Sequence, residues 1–519
     1  MNKAFVIISI FVFFSFKMAA QPVTQKGLAP DQKTITLPAE KVIDKIRGGM
    51  LGQILGNLNG LVYENAFLEE PGNVKNYVPS LPEGARTDDD TDFEWVYICE
   101  MQKYRNPYLS NDSIYNLWRT RINQRIWCSN RWARYLMDLG IKPPYTGSIV
   151  MNPWAEFNIS GQFLCETFGL LSPAMPQTAA KIGLNYTRVA IDNEPAQTTQ
   201  LFTAMISTAF IESDINKIID AGISAIDEKS VVASIVKDLR TWHKQYPDDW
   251  RKTRLLLKEK YSREGQKVRD RNGYDLNTGS IIGALLYGEG DYAETMKYTF
   301  NFGWDADNTA ATAGTIIGVI KGYRWFLSQD WQIVDRYHNT TRDNMPMDET
   351  ITSFSDRLIE LFEMINENNG GTKELINNVV SYKIRQENPK PVLMLSSVDE
   401  QKQQLIQQLA QTITENIKAG NRQQKANAAY MAICLDMNTS LSKQYPKQWK
   451  EACYELSGYW KVMNNFFDPY PDHNFKSLTA MREKFMAAGF KKPAKGYSDD
   501  ELYNDSVVWK DPKNLYLNK

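Results

Sequence analysis

The chain has 519 residues, 43% of them hydrophobic, and a formal net charge of −1. That is apolar material enough for two or three packed domains, and a near-neutral, slightly acidic chain lacks the basic surface that general nucleic-acid binding needs. Its three histidines (His243, His338, His473) stand far apart in the sequence, which excludes a histidine-rich zinc site and leaves oxygen ligands for any metal: magnesium, manganese or calcium.

Residues 1–20 read as a secretory signal, with Lys3, an apolar run over 4–16, and then Lys17-Met18-Ala19-Ala20. The run is too short to span a bilayer. Cleavage is expected after Ala20, and the mature chain is expected in the periplasm or outside the cell. No later stretch reads as transmembrane, so no stable membrane insertion is expected. The five cysteines (Cys99, Cys128, Cys165, Cys434, Cys453) lack CxxC spacing. One pair is open to an exported chain, but buried free thiols are the expected state.

Residues 21–38 form a polar N-terminal arm. Pro38 at a first helical turn, with Glu40 behind it, opens a helix. Gly48, Gly52, Gly56 and Gly60 recur along it every four residues. Glycine weakens a helix, and this spacing places all four on one face, where a second backbone can approach closely. Residues 61–82 read as a loop carrying Glu64.

The stretch Arg86-Thr87-Asp88-Asp89-Asp90-Thr91-Asp92 then holds four aspartates in five positions. One carboxylate suffices to cap the helix that follows. Four adjacent like charges repel unless cations or donors compensate them, so the excess points to a hard-cation site. A helical pattern covers 93–142, with Trp118, Trp127 and Trp132 at apolar positions. Residues 143–176 are rich in proline and glycine and are expected to form a long surface loop of the kind that carries substrate contacts. Helices are expected over 177–187, 197–210, 214–226, 229–245, 249–261 and 278–287. A second acidic cluster, Gly303-Trp304-Asp305-Ala306-Asp307-Asn308-Thr309, runs into a helix with its own small stripe, Ala310, Gly314, Gly318 and Gly322. Two small-faced helices packed together would hold the two acidic loops near each other. No run alternates with period two, so an all-helical protein is expected.

Asn366-Glu367-Asn368-Asn369-Gly370-Gly371 closes the first domain, 39–369, and a linker over 370–396 leads to a C-terminal helical domain, 397–519. There Ser397 and Glu400 form a capping box, with further helices over 422–437, 446–465 and 476–488. No carboxylate or glycine cluster appears in this region. Its aromatic residues Tyr454, Tyr459, Trp460 and Tyr470 sit at helical spacing, and a packing or docking role is expected.

These residues resemble the ADP-ribosylglycohydrolase family over about 39–365. The opening helix from Asp44 through Gly60 is similar to the family's first motif. Glu64 follows at the spacing of a family glutamate near substrate and metals. Asp89-Asp90-Thr91 matches its Asp-Asp-Thr, and Gly303 through Gly314 resembles its second acidic motif. Asn57 stands where the family carries aspartate, and Asp88 and Asn308 stand where it carries threonines. The family's Asn-Gly and Arg features are absent from 158–169.

The resemblance implies an all-α bundle with two magnesium ions (manganese is the alternative) and hydrolysis at the anomeric carbon of a ribosyl or related sugar. It implies metal ligands among Asp88, Asp89, Asp90, Asp305, Asp307 and Asn308, and catalytic roles for Asp89, Asp90 and Glu64. Asn57, Gln162 and Trp304 are the expected substrate-binding residues. The substrate is expected to be a small molecule or glycan, with a simple glycoside or nucleoside-like compound preferred over ADP-ribosylated protein. The competing expectation is a non-catalytic member that binds metal and glycan or serves as structure.

Overall fold

The computed structural model describes residues 33–122, 124–263, 266–467, 475–492 and 509–510. The expected signal, most of the arm and Tyr470 lie outside the described residues. The fold is all-α with two small sheets, and no described helix is long and apolar enough to cross a membrane. All five cysteines are free.

Helix α1 (Ala39–Gly60) starts where Pro38 fixes the chain in an extended conformation. It lies antiparallel against helix α3 (Ala306–Lys321), with helix α2 (Asp89–Tyr104) alongside. The glycine stripes form the seam between α1 and α3. A Cβ on Gly48 would sit 2.5 Å from the Gly318 carbonyl oxygen, and one on Gly60 would sit 2.5 Å from the Asp307 Cα. At Gly52 and Gly56 it would collide with the carbonyls of Gly314 and Ala310. Backbone therefore touches backbone along four turns, and the C-terminal end of α1 abuts the N-terminal end of α3.

Three expectations need correction. Strands do occur: Thr34–Pro38 pairs antiparallel with Val379–Arg385, which pairs with Thr372–Ile376. The end of the arm and part of the expected linker thus make one three-stranded sheet. Thr34–Pro38 meets its partner only across some 340 residues of sequence, whereas Thr372–Ile376 and Val379–Arg385 form a hairpin around Asn377-Asn378 that the sequence reading placed in a linker. The stretch 143–176 is almost wholly buried rather than a surface loop. Its backbone is met by buried side chains: Asn152 donates to the carbonyls of Ser129 (3.0 Å) and Thr146 (2.9 Å), and its outer side is covered by the C-terminal helices. Trp127, read as one of the apolar positions of a helical pattern, is 48% exposed.

The C-terminal helices share one core with the helix Cys128–Asp138 and the segment behind it. Trp132, Met151, Trp154 and Phe157 pack with Tyr430, Phe466, Phe475 and Phe485. The capping box of Ser397 and Glu400 is present with both of its bonds, and Tyr459 and Trp460 are buried in this second core.

Candidate metal centre and cleft

The first acidic motif meets the second because of the seam. Asp88 is in extended backbone just before α2, and Asp305 holds the equivalent place before α3, yet neither side chain caps its helix. The carboxylates turn inward instead. Two groups gather, Glu64 with Asp305 and Asp307, and Asp88 with Asp90 and Asp307, each with one oxygen per residue within 4.8 Å of the others. Asp307 belongs to both. Asp89 lies outside both groups, partly exposed, and lines the cleft above them.

Amide side chains fix the inner carboxylates. The Asn57 Nδ2 donates to Asp88 Oδ2 (3.2 Å) and Asp90 Oδ2 (3.0 Å). Asn308 Nδ2 donates to Asp90 Oδ1 (3.1 Å), while its own Oδ1 accepts from Gln162 (2.6 Å). Asn272 Nδ2 donates to Asp305 Oδ2 (3.1 Å). Gln53, from α1, donates to the Asp90 carbonyl and to the Glu94 carboxylate.

Asn57, Gln162 and Trp304, the expected substrate contacts, are buried and are not among the residues that line the cleft. Asn57 and Gln162 orient the carboxylates, directly and through Asn308. Both ends of the Asn308 amide are engaged, which fixes its side chain against Asp90. Trp304, at φ +60, packs its ring under the Arg254 guanidinium 4.1 Å away.

Arg254 escaped the sequence reading. It is buried and donates to the carbonyls of Phe67, Leu68, Glu69 and Phe302. It thereby ties the loop after Glu64 to the chain just before Asp305. Arg342 was missed as well: it pairs with Asp92 at 2.8 Å, both side chains fully buried. Nothing local marks either residue: Arg254 reaches Phe302 across 48 positions and the Glu64 loop across more than 180, and Arg342 reaches Asp92 across 250.

Burial and mutual repulsion together push the carboxyls upward. Desolvation is the largest cause at Asp89, Asp90, Asp305 and Asp307, followed by the neighbouring aspartates. Glu64, at the exposed rim, is pushed up to about 7 by desolvation, Asp307 and Asp88. A pair of hard cations fits this arrangement on two counts. It would relieve the repulsion, and it would meet Asp307 Oδ1, which is buried and accepts no hydrogen bond.

Above the carboxylate floor opens a cleft of about 640 Å³. Its walls carry Trp127, Trp132, Trp154 and Phe163, with Arg125, Arg131 and Arg271. Among these Trp127 and Trp132 were named from the sequence, as apolar positions of a helical pattern.

The sequence profile of the ADP-ribosylglycohydrolase family matches residues 38–368. No curated protein sequence matches the chain. Among solved structures, one described as an ADP-ribosylglycohydrolase-related protein complex aligns with 15% identity and a TM-score of 0.36, over 63% of this chain and 99% of its own.

Proposed function

The chain belongs to the ADP-ribosylglycohydrolase family, and from that premise we propose that it hydrolyses a glycosidic bond at the anomeric carbon of a ribosyl or related sugar. The reading takes two hard divalent cations, magnesium first and manganese as the alternative. The observation that carries it is Asp307, shared between two carboxylate groups with one buried oxygen left without a donor.

Glu64, Asp305 and Asp307 would hold one cation, and Asp88, Asp90 and Asp307 the other. When bound, the cations would supply Lewis-acid polarisation of the sugar hydroxyls and of a water. The remaining chemistry falls to the chain itself. Asp89, outside both groups and open to the cleft, is placed to take the proton of the attacking water. The inner carboxylates face the oxocarbenium character that develops at the anomeric carbon. Glu64 at the rim closes the site over the sugar. The substrate is a small molecule or glycan, and the Lys3-to-Ala20 segment directs the chain out of the cytoplasm. Intact-mass measurement of protein from the native host then gives a chain beginning at Gln21, and a chain retaining Met1 would contradict that part.

The test pairs calorimetry with turnover. Wild type is expected to bind two divalent ions and to release free sugar from a panel of pentosides, hexosides, ADP-ribosyl-arginine and an ADP-ribosyl-serine peptide only when metal is present. Asp307→Asn is expected to lose both ions and all turnover. Equal metal binding by wild type and Asp307→Asn would sink the reading.

A further inference from the structure

One part of the cleft wall is held in a conformation that it would not keep unaided. Arg125 and Cys128, which both line the cleft, are in the left-handed backbone region (φ +48 and +47), where residues with a side chain are uncommon. Trp127 stands between them in the chain. Such conformations persist where neighbouring contacts over-determine them. One tie is local: Arg131 Nε donates to the Ile126 carbonyl (3.0 Å). Three more come from a single distant stretch, 342–344. Arg342 Nη1 donates to the Gln124 carbonyl (2.6 Å), Gln124 Nε2 donates to Asp343 Oδ1 (3.2 Å), and Asn344 Nδ2 donates to the Thr120 carbonyl (3.1 Å).

The same stretch grips the first acidic motif. The Thr340 N–H donates to Thr87 Oγ1 (2.8 Å), the Thr341 hydroxyl donates to Asp92 Oδ2, and Arg342 Nη2 pairs with Asp92 Oδ1 (2.8 Å). Asp92 belongs to neither carboxylate group of the candidate centre, but its N–H donates to the Asp88 carbonyl (2.8 Å). Arg342 therefore reaches both sides. Its buried guanidinium lies 4.6 Å from the Phe93 ring centroid and serves Asp92 and the Gln124 carbonyl at once, which a planar fork can do and an ammonium cannot. A cation held by Asp88 and Asp90 would fix the first turn of α2, and Asp92 with it. Resting on the cation reading above, we propose that Arg342 is a positioning residue: it holds the wall at 124–128 to the acidic motif, so that filling the cation site stiffens the wall that substrate meets.

Site-resolved proteolysis of the full-length protein tests this without any substrate. Trypsin is applied well below the melting temperature, with and without saturating magnesium, and the cuts are mapped by mass spectrometry. Cleavage after the exposed Arg125 reports local opening of the wall, and cleavage after the exposed Lys229 is the reference. Magnesium is expected to slow the Arg125 cut in wild type roughly fivefold relative to Lys229, a modest coupling between two sites. In metal-free Arg342→Lys the Arg125 cut is expected to be roughly tenfold faster relative to Lys229, the low end for losing a hydrogen bond from a charged group, and magnesium is expected no longer to slow it. Asn344→Ala, which cuts a neighbouring tie and spares Arg342, is expected to keep the magnesium effect. An Arg125 cut at the wild-type rate in Arg342→Lys, or cuts accelerated alike at every site, would overturn the proposal. So would wild type that binds magnesium by calorimetry yet is cut after Arg125 no more slowly, or loss of the magnesium effect in Asn344→Ala. Wild type that binds no magnesium sinks the cation reading instead, and the metal-free comparison of wild type with Arg342→Lys still decides whether Arg342 holds the wall.

Discussion

Asn57 does for the centre what a longer side chain could not. It reaches Asp88 and Asp90 with one amide nitrogen, holding two like charges in place without adding a third. Replacing it with alanine is expected to weaken metal binding roughly 10–100-fold, the usual cost of losing a group that orients a ligand, and to lower the melting temperature of the metal-free protein, because two carboxylates lose a buried donor. Calorimetry on the variant checks this. Undiminished affinity would mean that the aspartates hold their geometry unaided.

Beneath the centre, Glu94 and Glu166 form a second buried pair. Glu94 accepts from Gln53 and from the Thr167 N–H, and Glu166 accepts from Thr312 and the Cys165 N–H. Desolvation pushes Glu166 up to about 7 and Glu94 well above its ordinary value. A carboxyl raised in the folded state favours folding while protonated. That contribution is whole below the unfolded value of 4.5 and is lost as pH rises through about 7. Glu166→Gln, which stays neutral, is therefore expected to melt higher than wild type at pH 8, with the gap closing towards pH 5. A gap independent of pH would show that Glu166 is not protonated in the native protein.

At the scale of elements, the antiparallel seam of α1 and α3 sets every distance in the centre. Gly52→Ala or Gly314→Ala would drive a methyl into the facing backbone. Overpacking of this kind costs about 1–3 kcal/mol or more, and here it also parts Glu64 from Asp305 and Asp307. Both a lower melting temperature and weaker metal binding are expected. Gly290→Ala, with open space at its Cβ but a left-handed backbone, is expected to lose stability only.

The seam and both acidic motifs were legible in the sequence, since each is a local anomaly: glycine where a helix resists it, and charge upon like charge. The supports were not. Asn272, Arg254 and Arg342 act across long sequence separations, and an isolated arginine or asparagine carries no local signature. The stretch 143–176 was misread because its composition suits a surface loop, whereas its exposure is decided by helices more than 250 residues further on.

At the scale of the whole molecule, the C-terminal helices reach the cleft wall by ring packing on Trp132 and Trp154 and by one hydroxyl. Tyr430 donates to the Met151 carbonyl (2.6 Å) and accepts from Trp132 Nε1 (3.2 Å), and Trp132 lines the cleft. Tyr430→Phe leaves both buried partners unmet, at a cost of about 1–3 kcal/mol. Because the floor is built elsewhere, KM is expected to rise while metal affinity stays at the wild-type value. Steady-state kinetics beside calorimetry separates the two, and a loss of metal binding in Tyr430→Phe would show that the C-terminal helices act on the floor as well.

The same division bears on how such a protein can change over generations. Where backbone lies on backbone, no side chain remains to be traded for a slightly larger or smaller one. The gauge of the centre therefore cannot drift by small steps of side-chain size. The cleft wall has the opposite character. Arg125, Trp127, Arg131 and Trp132 stand on one short segment, with Trp132 packed against helices outside the 38–368 match, and side chains there can be exchanged without touching the seam.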